Sequence, residues 1–181
     1  MGTLKTTNIQ TITGSGTLTL GTSGETLALG SGVTSNLMYP AFQVSLSTKT
    51  TITSGVATKA PFDTEIYDTD NCYDNTTNYR FTPTVAGKYF IYANIGMNAN
   101  SASNLNSWHL YLYKNGSIFK RAHENRTNNP GYYNTGVLNC VLEMNGSTDY
   151  AEFYVEISDT SGDPAIQNDA YSVIGGYRIG D

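Results

Sequence analysis

The segment Phe81-Thr82-Pro83-Thr84-Val85-Ala86-Gly87-Lys88-Tyr89-Phe90-Ile91-Tyr92-Ala93 decides how this chain folds. From Gly87 on it reads as one long aromatic strand, made of residues that suit a pleated, half-buried surface. The same signal continues in both directions. Ala41-Phe42-Gln43-Val44-Ser45-Leu46 and Trp108 to Tyr113 alternate apolar and polar with period two. Lys114-Asn115-Gly116-Ser117 is the turn that an Asn-Gly step predicts, with Ser117 to Ala122 as the returning strand. Gly136 to Met144, Asn145-Gly146 and Tyr150 to Ile157 read as a second hairpin, and Tyr171 to Ile179 as a terminal strand. No stretch offers a helical face with caps. Roughly eight to ten short strands in about 140 residues imply an all-β sandwich or jelly roll.

Composition agrees. Thr (25), Asn (18) and Ser (15) supply 58 of the 181 residues, while only 14% are charged and the net charge is −5. Thr and the 14 Tyr favour strands, and Asn, Ser and 18 Gly supply turns. Ten Lys and Arg give no basic footprint for nucleic acid. No apolar run is long enough to cross a bilayer, and the N-terminus reads as lacking a secretory signal. Two cysteines, Cys72 and Cys140, are too few and too far apart for a disulfide scaffold or the usual zinc spacings. Whether they meet in space is open at this level.

Chemistry changes near residue 38. Before it there is no aromatic residue and only Lys5 and Glu25 are charged; all 21 aromatics follow it. So short a stretch cannot build its own core. It is read as an attachment segment, residues 1–38, ahead of a globular head, residues 39–181. Thr17-Leu18-Thr19-Leu20-Gly21 recurs as Thr26-Leu27-Ala28-Leu29-Gly30, and Ile9 and Ile12 read as a degenerate earlier copy. Leucine at every second position gives one apolar face per short strand, which a neighbouring chain could cover. A flexible linker with chance repetition is the competing reading.

The order of motifs resembles the C1q globular-head domain of the C1q and tumour-necrosis-factor superfamily. Six pieces carry the resemblance: Ala41-Phe42-Gln43-Val44; the stretch Tyr67-Asp68-Thr69-Asp70-Asn71-Cys72-Tyr73-Asp74; the block from Phe81 to Ile91; Leu112-Tyr113-Lys114-Asn115-Gly116; Val141-Leu142-Glu143-Met144-Asn145-Gly146, with Ser147 where the family usually has Asp; and Val173-Ile174-Gly175-Gly176-Tyr177. It implies a ten-strand jelly roll packed as a homotrimer, and so a role for the aromatics Phe42, Tyr89, Phe90, Tyr92, Trp108, Tyr111 and Tyr177 in core or trimer interface. The collagen-like stalk of animal members is absent. The opening Leu4-Lys5-Thr6-Thr7-Asn8-Ile9-Gln10 with its Thr/Leu/Gly repeats instead resembles the N-termini of small virion proteins of tailed bacteriophages. That second resemblance implies docking onto other virion proteins through Leu4, Ile9, Ile12, Leu18, Leu20, Leu27 and Leu29.

Candidate chemistry is sparse. His109 and His123 are the only imidazoles, and neither sits in a pattern that supplies a nucleophile and base, so no catalysis is expected. Asp68, Asp70 and Asp74 form an oxygen-rich loop that suits calcium, though an Asx-turn-rich solvated loop is the simpler reading; no other cofactor is expected. His123 to Tyr133 reads as a loop of amides and aromatics. His123, Asn125, Arg126, Asn128, Tyr132 and Tyr133 there are candidates for contact with a host-surface glycan or protein. The expectation is a non-enzymatic homotrimeric fibre or decoration protein of a phage particle, located in the virion and assembled in the host cytoplasm. The alternative is a secreted or cell-surface C1q-like binding module, lectin-like or cytokine-like.

Overall fold

A computed structural model describes residues 39–99, 103–160 and 163–180. Across them run thirteen strands: β1 (Ala41–Ser45), β2 (Thr50–Thr51), β3 (Thr58–Lys59), β4 (Thr64–Asp68), β5 (Tyr73–Asp74), β6 (Arg80–Phe81), β7 (Gly87–Asn98), β8 (Leu105–Lys114), β9 (Ser117–Asn125), β10 (Tyr133–Met144), β11 (Ala151–Asp159), β12 (Ala165–Ile166) and β13 (Ser172–Gly180). All the pairings are antiparallel. The larger sheet runs β2-β12-β7-β13-β1-β4, with β10 on the free side of β7; the smaller runs β5-β6-β11-β8-β9, with β3 beside β11. This two-sheet jelly-roll arrangement is the fold class the sequence implies.

Strand β7 is the axis of the larger sheet because it is paired along both sides, to β10 from Gly87 to Asn98 and to β13 from Lys88 to Ile95. Its period-two pattern sends Tyr89, Ile91, Ala93, Ile95 and Met97 into the interior, all fully buried. Leu110 and Leu112 of β8 and Phe153, Val155 and Ile157 of β11 face them from the smaller sheet. At one end the interior is aromatic: Phe42 stacks on Phe81 at 4.4 Å and on Tyr73 at 5.1 Å, and Phe81 meets Tyr89 edge-on at 5.3 Å.

Registers place the ends of the sandwich. Ala41 lies beside Tyr177, Tyr177 beside Phe90, and Gly87 beside Met144, so the described chain begins at the end that also holds the 114–117 and 145–150 turns. Asn98 lies beside Tyr133 and Ala165 at the opposite end, with the 126–132 connection. We call these the proximal and distal ends.

Three expectations change. The strands are longer than read: β7 continues to Asn98, β9 to Asn125, and β10 starts at Tyr133. Five short strands (β2, β3, β4, β5 and β12) lie in Thr- and Asp-rich segments whose polarity hides them. The second hairpin is not one, because β10 belongs to the larger sheet and β11 to the smaller. The connection uses Asn145 as a cap, its Oδ1 accepting from the backbone N–H groups of Ser147, Thr148 and Asp149. Gly146 (φ 70°) lets the chain cross, since a Cβ there would fall 2.2 Å from the Ala86 nitrogen. The first hairpin forms as expected, with Asn115 (φ 51°) and Gly116 (φ 77°) both left-handed.

Because Phe81 is buried between the rings of Phe42 and Tyr89, Phe81→Ala is expected to cost about 3–5 kcal/mol. The urea midpoint should drop with an unchanged m-value; a loss below about 1 kcal/mol would contradict the packing described.

Candidate functional site

The seven aromatics singled out in the sequence fall on three surfaces. Phe42, Tyr89 and Trp108 are interior. Tyr111 is buried on the outer side of the smaller sheet, where its hydroxyl donates to Glu156 Oε2 at 2.9 Å. Phe90, Tyr92 and Tyr177 stand half-buried on the outer side of the larger sheet, the Phe90 ring 5.6 Å from Tyr177 and 6.3 Å from Tyr92.

That outer surface is built by register. Phe90 lies between Val141 and Tyr177, and Tyr92 between Asn139 and Gly175. Gly175 gives Tyr92 room to lie across β13, for a Cβ there would meet the Tyr92 hydroxyl at 2.4 Å. Burial pushes the Tyr92 hydroxyl up to about 12, reinforced by its hydrogen bond with Tyr67 of β4. Val141 and Val137 are 48% and 54% exposed, and Tyr67 41%. The result is an apolar, tyrosine-edged surface running across β10, β7, β13 and β4. Two edges adjoin it: Phe119 of β9, which shares a hollow with Val141 and Leu142, and Ile66 of β4.

At the distal end a groove of about 730 Å³ is lined by Glu124, Asn125, Arg126, Thr127, Asn128 and Asn129. Its walls are fixed. Asn125 Oδ1 accepts from Thr127 N at 3.0 Å and Thr127 Oγ1 at 2.7 Å, and Asn129 N donates to Arg126 O at 2.8 Å. Glu124 anchors the rim, its Oε2 accepting from Trp108 Nε1 (3.1 Å) and Asn134 Nδ2 (2.6 Å), with Arg126 Nη1 3.7 Å from Oε1. Of the candidate contact residues, Asn125, Arg126 and Asn128 line this groove, and Tyr132 is exposed but outside its lining. His123 and Tyr133 stand apart from its lining. His123 stacks on His109 across β8 and β9, and Tyr133 packs edge-on against Tyr171 at 5.4 Å. The role of Glu124 was not legible in sequence, because the Trp108 indole it holds is brought to it only by the β8–β9 register.

The acidic loop has committed its carboxylates. Asp68 accepts from Tyr73 N (2.7 Å), Asp70 N and Cys72 Sγ; Asp70 accepts from Thr69 Oγ1; Asp74 accepts from the N–H groups of Thr76, Thr77 and Asn78 and from Asn78 Nδ2. These are Asx-type turns. Among the described residues no set of three or more His, Cys, Asp or Glu is placed to hold a metal ion. The carboxylates of Asp68, Asp70 and Asp74 are thus engaged in turn hydrogen bonds, the arrangement of a solvated Asx-turn loop.

Both cysteines are free thiols. Cys72 is interior, its thiol pushed well up by burial and by Asp68, and Cys140 is half-buried with its thiol also raised by burial. The histidines face Tyr111, Glu156 and each other. Leu4, Ile9, Ile12, Leu18, Leu20, Leu27 and Leu29 lie outside the described residues.

No protein-family model matches this sequence, and no curated protein matches it. Solved structures do. The globular domain of zebrafish complement 1qA protein aligns with TM-score 0.53 and 15% identity over 77% of this chain and 96% of that one. Murine APRIL at pH 5.0 aligns with TM-score 0.58 and 8% identity over 77% and 98%. The Eiger TNF of S. frugiperda aligns with TM-score 0.54 and 16% identity over 78% and 92%. At such identities the likeness establishes the C1q/TNF-type fold of the head.

The Asp74 turn yields a pH prediction. The N–H groups of Thr77 and Thr76 hold its carboxyl well below the usual carboxylate range. A folded value below the unfolded one contributes stability above about pH 4, lost as pH falls through the folded value. Asp74→Ala should therefore lower the melting temperature at pH 7, and the gap to wild type should narrow below about pH 4. A gap independent of pH would contradict this assignment.

Proposed function

We propose that this chain is a non-enzymatic, self-associating binding module: a homotrimer joined through the outer side of its larger sheet, with the distal groove facing outward. The observation that carries the reading is the surface of Phe90, Tyr92, Tyr177, Val137 and Val141, which a single subunit leaves in contact with water. Tyrosine suits such an interface, apolar on its faces and polar at its tip. The apolar side chains beside this surface differ at its two edges, Phe119 at β9 and Ile66 at β4. Packing one subunit's surface against a neighbour's edge is a heterologous contact, which makes a ring where the rotation between subunits closes. Three subunits is the number that the C1q resemblance supports.

Within that reading the chain is a fibre or decoration protein of a tailed-phage particle, located in the virion and assembled in the host cytoplasm. Its N-terminal Thr-Leu-Gly repeats support the assignment. Three weakly docking segments tethered to one trimer attach with multiplied avidity. The groove of Asn125, Arg126 and Asn128, together with the exposed Tyr132, then meets a host-surface glycan, with amides for hydroxyls and a ring for the sugar's apolar side. A second setting is a secreted or cell-surface C1q-like ligand, which the likeness to a complement domain and to TNF-type ligands favours.

Tyr177→Arg and Phe90→Arg, each placing a charge on the outer surface, should shift the assembly toward single subunits by light scattering while leaving the far-ultraviolet β spectrum unchanged. Assembly unaffected by both would refute the interface. Removing residues 1–36 should leave an assembled head that no longer enters particles. Normal incorporation would refute the virion setting, and secretion from the native host would favour the second.

A further inference from the structure

The outer side of the smaller sheet carries a row of ionisable rings that no part of the binding reading uses. His123 on β9, His109 on β8 and Glu156 on β11 are directly opposite one another in register. The two imidazoles stack with centroids 5.5 Å apart and planes 14° from parallel, and Tyr111 stacks on the other side of His109 at 5.6 Å and 11°. Glu156 divides its carboxylate between them: Oε2 accepts the Tyr111 hydroxyl at 2.9 Å, while Oε1 lies 3.7 Å from His109 Nδ1. That nitrogen is out of water and has no hydrogen-bond partner. His123 is exposed, and Arg121 precedes it by two on the same side of β9, opposite Tyr111.

We propose that the His109–His123 pair is an acid-sensitive latch on the distal half of β9. Imidazole changes charge between about pH 5 and 8. A proton on His109 Nδ1 would face Glu156 Oε1, 3.7 Å away. A second, on His123, sets two positive charges one stacking distance apart with the Arg121 guanidinium beside them, and the one carboxylate in the row is already shared with Tyr111. From β11 the other groups facing this row are Tyr154 and Glu152, and the latter is ion-paired to Lys59 of β3. Strand β9 yields to this repulsion because it is the edge of its sheet, paired only to β8 among the described strands, and toward its distal end only Ala122 and Glu124 are half-buried while His123 and Asn125 are exposed. What loosens with it is the groove: Glu124, Asn125 and Arg126 follow His123 directly and form its rim. A groove ordered at neutral pH thus becomes mobile as the pair takes up its second proton. The latch rests on the binding-module reading for its purpose, since it governs that module's groove, but its physical step needs no ligand.

Amide hydrogen exchange on the full-length protein at pH 7.5 and 5.5, corrected for intrinsic rates, tests it. Protection over residues 120–129 should drop about tenfold at the lower pH through local opening, while β7 and β13 stay protected. His123→Asn, at an exposed position, should keep the neutral-pH protection pattern and abolish the acid response; Arg121→Gln should shrink it. Unchanged protection in wild type would overturn the latch. So would a response that survives His123→Asn, or one that spreads equally to β7 and β13, which would mean general acid unfolding. Failure of the groove to bind any glycan, with the exchange response intact, would defeat the binding reading and leave the latch standing.

Discussion

Strand β7 carries bulky side chains on both of its sides, and one sandwich can cover only one of them. Tyr89 and Ile91 are sealed between the sheets, whereas Phe90 and Tyr92, one residue out of phase, stand on the outer side with Tyr177 and two exposed valines of β10. Antiparallel sheets with one wet side normally show polar residues there. In this sheet the alternation is apolar against aromatic through the middle of the strand and turns polar only toward Lys88 and Asn94. The rest of the molecule is arranged around that double burden. The fully paired β7 holds the register, Gly175 opens space for Tyr92, and Tyr67 on β4 finishes the surface by pairing with the Tyr92 hydroxyl.

The two ends of the sandwich divide the work. At the proximal end, the turns are tied down: Lys114 reaches both Asp149 and the Glu143 carbonyl, and Asn115 exchanges hydrogen bonds with Asp149 and the Tyr150 backbone. The distal end is held more sparingly, with Glu124 as the main side-chain bracket between Trp108 and Asn134. Loops carried on a rigid sandwich are where recognition usually resides. The rim continues directly from β9, an edge strand with ionisable rings on its outer side, and the proposed latch acts through that continuity.

Much of the fold was legible because strong period-two segments survive in the sandwich. The long strands from Gly87, Trp108, Ser117 and Gly136 are all present, and Asn115-Gly116 turns as that dipeptide should. The short strands were hidden because two-residue pairings such as Thr50–Thr51 and Thr58–Lys59 carry no periodicity. Asn145-Gly146 misled for a physical reason: the same dipeptide that closes a hairpin also caps a crossing between sheets when the asparagine side chain takes up three backbone donors. The candidate site was legible only in part. Asn125, Arg126 and Asn128 gather at the groove because they are contiguous, while His123 departs to the sheet because strand alternation turns it away from Glu124. In the Asp68–Asp74 loop the sequence shows the carboxylates but not the backbone N–H groups that bond them, which only the folded turns bring together.

The central claim is that the outer side of the larger sheet is an interface and not a tolerated exposure. Sedimentation equilibrium of the full-length chain at micromolar concentration addresses it most directly. An interface there gives a single species of about 59 kDa, three times the 19.6 kDa chain. A species of 19.6 kDa that stays soluble and melts in one cooperative transition would contradict it.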